Sequence, residues 1–252
     1  MVTSILRGGL GNYMFQVAAA ATLAYKNNDI AKFDFNYTKQ VHNNVRTYKP
    51  NLFSKLDDTL SVNMGNIYNE PSHGYNAIPY RDGIVLNGHF QSEKYLDRNL
   101  ILDLFEIDDI SQKYIQAKYG SDFTDVTALH VRRGDYVQKS DRHPLMDIHY
   151  YESALRLIPS TKQVFVFSDD IEWCKRNIVF ENITYIENEP DYIDLWIMSM
   201  CNNNIIANST FSWWAGWLNQ HTNKIVVAPK IWFGAVKQLD TKDLIPKEWI
   251  LI

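Results

Sequence analysis

Residues 128–137, ALHVRRGDYV, carry two adjacent guanidiniums, Arg132 and Arg133, directly behind a short apolar run. A guanidinium is planar, permanently charged and offers its N–H groups as a fixed fork, which suits the oxygens of a phosphate. Two of them at the start of a loop point to an anionic ligand. The same residues also allow a plainer arrangement, one arginine in a structural ion pair with Asp135 or Asp141 and the other solvated, and the residues alone leave both open. His130, embedded in the apolar run, reads as a core histidine separated from the pair by Val131.

Three more polar stretches invite a chemical reading. Asn208-Ser-Thr-Phe-Ser212 could cap a helix through Ser209 and Thr210, or hold a phosphate with the same hydroxyls and amides. Ser168-Asp169-Asp170 could cap the helix starting at Ile171, or accept hydrogen bonds from a purine or a ribose. The turn at 7–12, RGGLGN, has the glycines that let backbone amides approach a ligand at a helix N-terminus. It does not complete GxGxxG, because the third position falls on Met14, and only 34–36 loosely supplies a ribose-binding acid, so a dinucleotide site is not expected.

These residues need a scaffold. Strand candidates at 127–131, 163–167, 183–186, 204–207 and 224–228 alternate with helices near 150–158, 170–177, 192–201 and 211–219, the signature of βαβ units and a parallel sheet. Loops at 130–135, 168–170 and 208–212 then leave strand C-termini together, where open α/β sheets bind ligands. In the first half, 2–6 and 83–86 read as strands, 13–26 as a helix and 101–119 as helical, while 27–81 reads as loops and short elements. This predicts two α/β halves with a cleft between them, divided into 1–120 and 121–252. The last residues are a candidate to pack back on the first domain. Trp213, Trp214 and Trp217 at helical spacing read as core, with Ala215 and Gly216 permitting close approach.

Composition narrows the function. A chain of 252 residues, 46% hydrophobic, can build a substantial core. Its net charge of −4 argues against a general nucleic-acid binder. The two cysteines, Cys174 and Cys201, form neither a CxxC motif nor a Cys/His cluster. Glycines 8, 9 and 11 interrupt what would be the core of an export signal, and no apolar run approaches the ~20 residues of a membrane span. A cytoplasmic protein is expected, any membrane contact being peripheral, including to the inner membrane surface. There is no DxD, HExxH, GxSxG or GxxxxGK[ST] pattern. No metal or other cofactor is expected; a departing diphosphate would be met by Arg132, amides and helix N-termini instead. Arg133-Gly134-Asp135 matches an adhesion tripeptide but follows a buried strand rather than sitting on a loop tip.

Five ordered motifs then coincide: GGLGNYMFQ at 8–16, GHFQSEKYL at 88–96, HVRRGDYV at 130–137, FSDDIEWC at 167–174 and NSTFSWWAGWL at 208–218. Together they resemble the α-1,2-fucosyltransferases of glycosyltransferase family 11, nearly end to end. The resemblance implies a GT-B architecture of two Rossmann-like domains, the first on the acceptor side and the second binding GDP-fucose, and inverting, metal-independent transfer of L-fucose from GDP-β-L-fucose to the 2-hydroxyl of a galactoside. It implies that Arg132 holds the β-phosphate and Arg133 supports the loop or the phosphates. By the same resemblance His130 and Asp170 lie at the nucleoside, Asn208, Ser209, Thr210 and Ser212 at the pyrophosphate, and Gly9, Leu10, Gly11 and Asn12 close over the donor. Lacking the anchor and stem of animal Golgi members, the chain resembles the bacterial type.

The expected partners are GDP-fucose and a galactose-containing glycan, with no nucleic acid and no protein partner. Asp135 is the first candidate for the acceptor base, with Glu93 and His143 behind it; its competing role is to orient the arginines. Acceptor preference is assigned to first-domain loops, chiefly 37–80. Two other readings stay open, a protein O-fucosyltransferase and a non-catalytic nucleotide-sugar binder.

Overall fold

The computed structural model describes residues 1–36, 38–41, 44–60, 65–159, 161–237 and 239–252, with 38–41 described by backbone alone. The chain divides into two compact units, Met1–Asp108 with Asp240–Pro246, and Asp109–Leu239 with Lys247–Ile252.

In the first unit β1 (Val2–Ser4) leads through β2 (Leu6–Gly8) into α1 (Leu10–Lys26); β3 (Thr38–Val41), β4 (Asn66–Asn69), β5 (Ile84–Asn87) and α2 (Arg98–Leu104) follow. The sheet is parallel in the order β1-β5-β4, and β2 pairs separately with β3. Helix α1 is buried along nearly its whole length, and its run Ala18 to Ala21 combines high helix propensity with side chains small enough for close packing. It ends where Asn28 takes the left-handed conformation, φ 52°. Lys94 pairs with Asp243, which also accepts from the Tyr75 amide at 2.9 Å, tying 240–246 into this unit.

The second unit runs α3 (Asp109–Tyr119), β6 (Val126–Val131), α4 (Ile148–Arg156), β7 (Gln163–Ser168), α5 (Ile171–Asn177), β8 (Ile183–Tyr185), α6 (Asp191–Met200), β9 (Asn203–Ile205), α7 (Thr210–Leu218), β10 (Val226–Ala228) and β11 (Ile250–Leu251). Its six strands are all parallel in the order β11-β10-β9-β6-β7-β8. Every residue of β6 is buried, as a strand covered on both faces requires. Leu129, Val131, Tyr151, Val164, Val166, Ile178 and Ile205 build one core cluster. The tryptophans of α7 are core, as expected: Trp213 stacks on Trp217 at 6.2 Å and meets Trp249 at 5.5 Å, and a Cβ on Gly216 would lie 3.0 Å from Val226.

Several sequence expectations shift. The helical stretch 101–119 is two helices, broken at 105–108, and the second belongs to the second unit, so the division falls after Asp108 rather than near 120. Of the C-terminal residues, Asp240–Pro246 group with the first unit but Lys247–Ile252 with the second, where β11 extends the sheet. Stretch 27–81 contains β3 and β4; the latter is a largely exposed edge strand, so it has no apolar run to read. Within the acceptor-side stretch 37–80, residues 37, 42, 43 and 61–64 lie outside the described residues.

Candidate active site

Strand β6 is the first strand of its sheet in chain order and sits in the middle: the chain moves outward to β7 and β8, then returns to β9 on the other flank. This reversal makes the C-terminal edge of β6 and β9 a topological switch point, where the loops diverge and leave room for a ligand. Register brings the loops level, with Val131 opposite Ser168 and Leu129 opposite Ile205.

Both arginines are ion-paired. One terminal nitrogen of Arg132 lies 2.6 Å from Asp169 Oδ2, the other 2.6 Å from Asp135 Oδ1, and the guanidinium packs over the Tyr136 ring at 5.0 Å. Its five N–H groups exceed what these carboxylates take up. Arg133 is spent on structure: Nε donates to Asp170 at 3.0 Å, and the guanidinium lies 4.1 Å over Trp173. Its side chain is 17% exposed against 32% for Arg132. The more open fork therefore belongs to Arg132. Asp141, offered as a partner for either arginine, pairs with neither; its backbone carbonyl closes on Gly234, where a Cβ would approach to 2.0 Å.

The aspartates after β7 divide their roles. Asp169 accepts from the Arg133 amide at 2.8 Å while pairing with Arg132. Asp170 caps α5 by accepting from the Trp173 amide at 3.2 Å, and the Arg133 guanidinium holds its carboxyl below the usual range. A Cβ on Gly134 would come within 2.4 Å of Asp169, so glycine is what lets this carboxylate reach the arginine loop.

On the other flank Ser209 caps α7, its hydroxyl accepting from the Phe211 amide at 3.3 Å, and Thr210 opens the first turn. Ser212 is fully buried, 2.9 Å from His130 Nδ1. Burial first, and the Arg132 charge second, push His130 down to about 3, so it is a neutral imidazole at pH 7. Asn208 is also buried, its amide donating to Pro144 and Trp232 carbonyls at 3.0 Å each. His130, Asn208 and Ser212 thus fix the loop, leaving Ser209, Thr210 and the α7 N-terminus at its edge.

Asp135 is held between two cations, with Lys139 at 2.9 Å from its second oxygen. Burial alone would raise its carboxyl, but Lys139 and Arg132 outweigh that and keep it below the ordinary value. This is the geometry of an orienting carboxylate and makes a poor base. His143 stacks on Tyr136 at 4.4 Å, and its Nε2 is 3.0 Å from Lys237. An ammonium can only donate, so Nε2 accepts and Nδ1 carries the proton. Burial, then Lys237, drives His143 down to about 4.

In the first unit, Gly9 precedes α1 and no atom lies within 4 Å of where its Cβ would be, whereas Gly8 at φ 92° would clash with Asn12 at 2.4 Å. Leu10 and Gly11 are buried in the first turn; Asn12 Oδ1 accepts from Gln91 at 2.8 Å. Glu93 lies in a 3₁₀ turn, Glu93–Tyr95, of the same unit. Asp169, Tyr136, Trp173 and Lys237 complete the second unit's constellation without having been singled out from sequence as partners of the arginines. Among the described residues no group of three His, Cys, Asp or Glu side chains could hold a metal ion.

The sequence profile of glycosyl transferase family 11 matches residues 1–252. The chain belongs to this family. Relatives include the Escherichia coli O-antigen biosynthesis glycosyltransferase WbnK, 33% identical over 92% of this chain and 94% of that one. An α-1,2-colitosyltransferase of the same species is 30% identical over 100% and 99%. The mouse galactoside 2-α-L-fucosyltransferase Sec1 is 26% identical over 86% of this chain and 64% of that one. Among solved structures, the fucosyltransferase NodZ from Bradyrhizobium superposes with a TM-score of 0.57 at 16% identity, over 85% and 91% of the two chains. That likeness establishes the GT-B fold. This family 11 member is a glycosyltransferase, and no helix among its described residues is long and apolar enough to cross a membrane.

Proposed function

We propose that the chain transfers L-fucose from GDP-β-L-fucose to the 2-hydroxyl of a galactoside with inversion and without a metal ion. The carrying observation is Arg132, oriented by Asp135 and Asp169 at the switch point of the second unit, with the α7 N-terminus on the adjacent strand. Single displacement at the anomeric carbon puts growing negative charge on the departing GDP, and preoriented donors stabilise it without reorganising. Arg132 meets the β-phosphate; Ser209, Thr210 and their amides meet the remaining oxygens. His130 and Asp170 border the nucleoside.

Bond cleavage runs ahead of deprotonation in this reading, so a weak base contributing on the order of 10² is enough. Asp135 acts on Arg132 rather than on the acceptor. The mouse relative's name supports fucose and a galactoside; both cysteines are buried and free, in keeping with a cytoplasmic enzyme.

The full-length match to a colitosyltransferase supports a second donor reading, a GDP-sugar lacking one ring hydroxyl of fucose. Competition between GDP-fucose and GDP-colitose, with product linkage read by NMR, separates the two. An α-1,2-fucosyl galactoside as dominant product supports the proposal. Since a site that hydrogen-bonds a hydroxyl rejects its deoxy analogue by about 10⁴, dominant colitosyl transfer would replace it.

A further inference from the structure

The first unit has a polar cluster of its own at the C-terminal edge of its sheet. Beyond β1 comes β2, which carries Arg7; beyond β4 the chain reaches Glu70, and beyond β5 the segment 88–91. Gln16, fully buried in α1, grips the Arg7 backbone from both sides, its Oε1 accepting from the amide at 2.9 Å and its Nε2 donating to the carbonyl at 3.2 Å. Glu70 accepts from two successive amides, His89 at 2.6 Å and Phe90 at 2.9 Å, with Phe90 in the left-handed conformation at φ 51°. Gly88 leaves the space that Glu70 fills, since a Cβ there would lie 2.4 Å from the glutamate's own.

Polar atoms of this cluster lack partners among the described residues. Arg7 Nε is buried with no hydrogen bond, and Gln91, only 6% exposed, spends its Nε2 on Asn12 but leaves Oε1 unmet. A buried donor or acceptor left without a partner is costly unless something satisfies it. One is a donor and the other an acceptor. Burial raises the Glu70 carboxyl above its ordinary value, against the pull of the His89 and Phe90 amides and of the nearby Arg7 charge. A phosphate, acceptor-only and anionic, has no use for a carboxamide oxygen and is repelled by a carboxylate. A sugar hydroxyl donates and accepts at once.

We infer that this edge, Arg7 with Glu70 and Gln91, is a carbohydrate subsite that holds the acceptor glycan through its hydroxyls. The inference rests on the glycosyltransferase reading above and names residues for its acceptor. Glu70 is a positioning residue, shaping 88–91 so that Gln91 reaches both Asn12 and the sugar.

The test follows the Arg7 Nε–H and Gln91 carboxamide signals in ¹H–¹⁵N spectra while lactose is added, alongside steady-state kinetics of wild type, Arg7→Met and Gln91→Glu. The expected result is a shift of both signals, and a rise of tenfold or more in KM for lactose in the variants with a smaller change in KM for donor. Fucosylation of lactose with both signals unmoved, or a rise confined to the donor KM, overturns the subsite. Should wild type neither bind nor use lactose, the galactoside reading falls on its own. A panel of methyl β-galactoside, β-glucoside, N-acetyl-β-galactosaminide and α-fucoside then decides the subsite: it stands if one of them shifts the Arg7 signal and falls if none does.

Discussion

Arg132 and Asp169 meet at 2.6 Å across the C-terminal ends of two adjacent parallel strands, so the register of β6 with β7 sets where the guanidinium stands. The pair is partly exposed and contributes little to stability by itself. Its value is orientation. With Asp135 on the other terminal nitrogen, the fork is fixed before a ligand arrives.

Removing either orienting carboxylate should therefore act on the ligand through Arg132. Asp135→Asn and Asp169→Asn are expected to lower kcat and weaken GDP binding together, each by roughly tenfold, an effect on the order of one lost charge-assisted hydrogen bond. Calorimetric GDP titration beside initial rates checks this. A loss in kcat with GDP affinity intact in Asp135→Asn would return Asp135 to the role of base.

Gly134→Ala places a methyl 2.4 Å from Asp169 Oδ2. The end of one side chain can move, so the melting temperature should change little. Activity should fall about tenfold as Asp169 leaves Arg132. Thermal melts beside rates separate the two effects, and a large drop in melting temperature would mean that the glycine serves the fold rather than the arginine.

Gly8→Ala is the converse case. At φ 92°, with Asn12 at 2.4 Å from the added Cβ, the strain falls on backbone and helix entry together. A loss of about 1–3 kcal/mol in unfolding free energy is expected. Denaturant titration reads it directly, and a change within a few tenths of a kcal/mol would contradict this account of the turn.

Stability should weaken on mild acidification. His130 and His143 have native values near 3 and 4, below the ordinary 6.5, so the unfolded chain binds more protons between these limits and stability rises with pH there. The contribution is fully present above about 6.5 and is lost as pH falls toward 4 and 3. Melting temperature followed from pH 7.5 to 4.5 should decline, and less steeply in His130→Gln. Equal slopes in the two proteins would contradict a buried neutral His130.

Much of the second unit was readable because buried parallel strands are short apolar runs, and polar residues begin where they end. The arginine pair, Ser209 with Thr210, and Asp169 with Asp170 all stand at such ends. Of their pairings, that of Arg132 with Asp135 was readable from their closeness in the chain, and the others were not. That Asp169 rather than Asp141 takes Arg132 depends on strand register, and the seat of Arg133 on Trp173 depends on a helix turn reached from a different strand. The first unit was harder for a different reason. Its edge strand β4, NIYN, is largely exposed and shows no hydrophobic pattern, so Glu70 at its end had no strand to mark it. The break at 105–108 was hidden because apolar spacing continues from Leu104 to Ile107 across it.

In the proposed reaction Arg132, without a metal, carries the leaving diphosphate. This role is tested most directly by GDP release from GDP-fucose with lactose as acceptor, in EDTA, for wild type and Arg132→Ala. The expected result is acceptor-dependent release that EDTA leaves intact and that the substitution lowers by about 10² or more, the loss that follows removal of a main transition-state donor. Near-normal turnover in Arg132→Ala, or release that returns only when a divalent metal is added back, would contradict it.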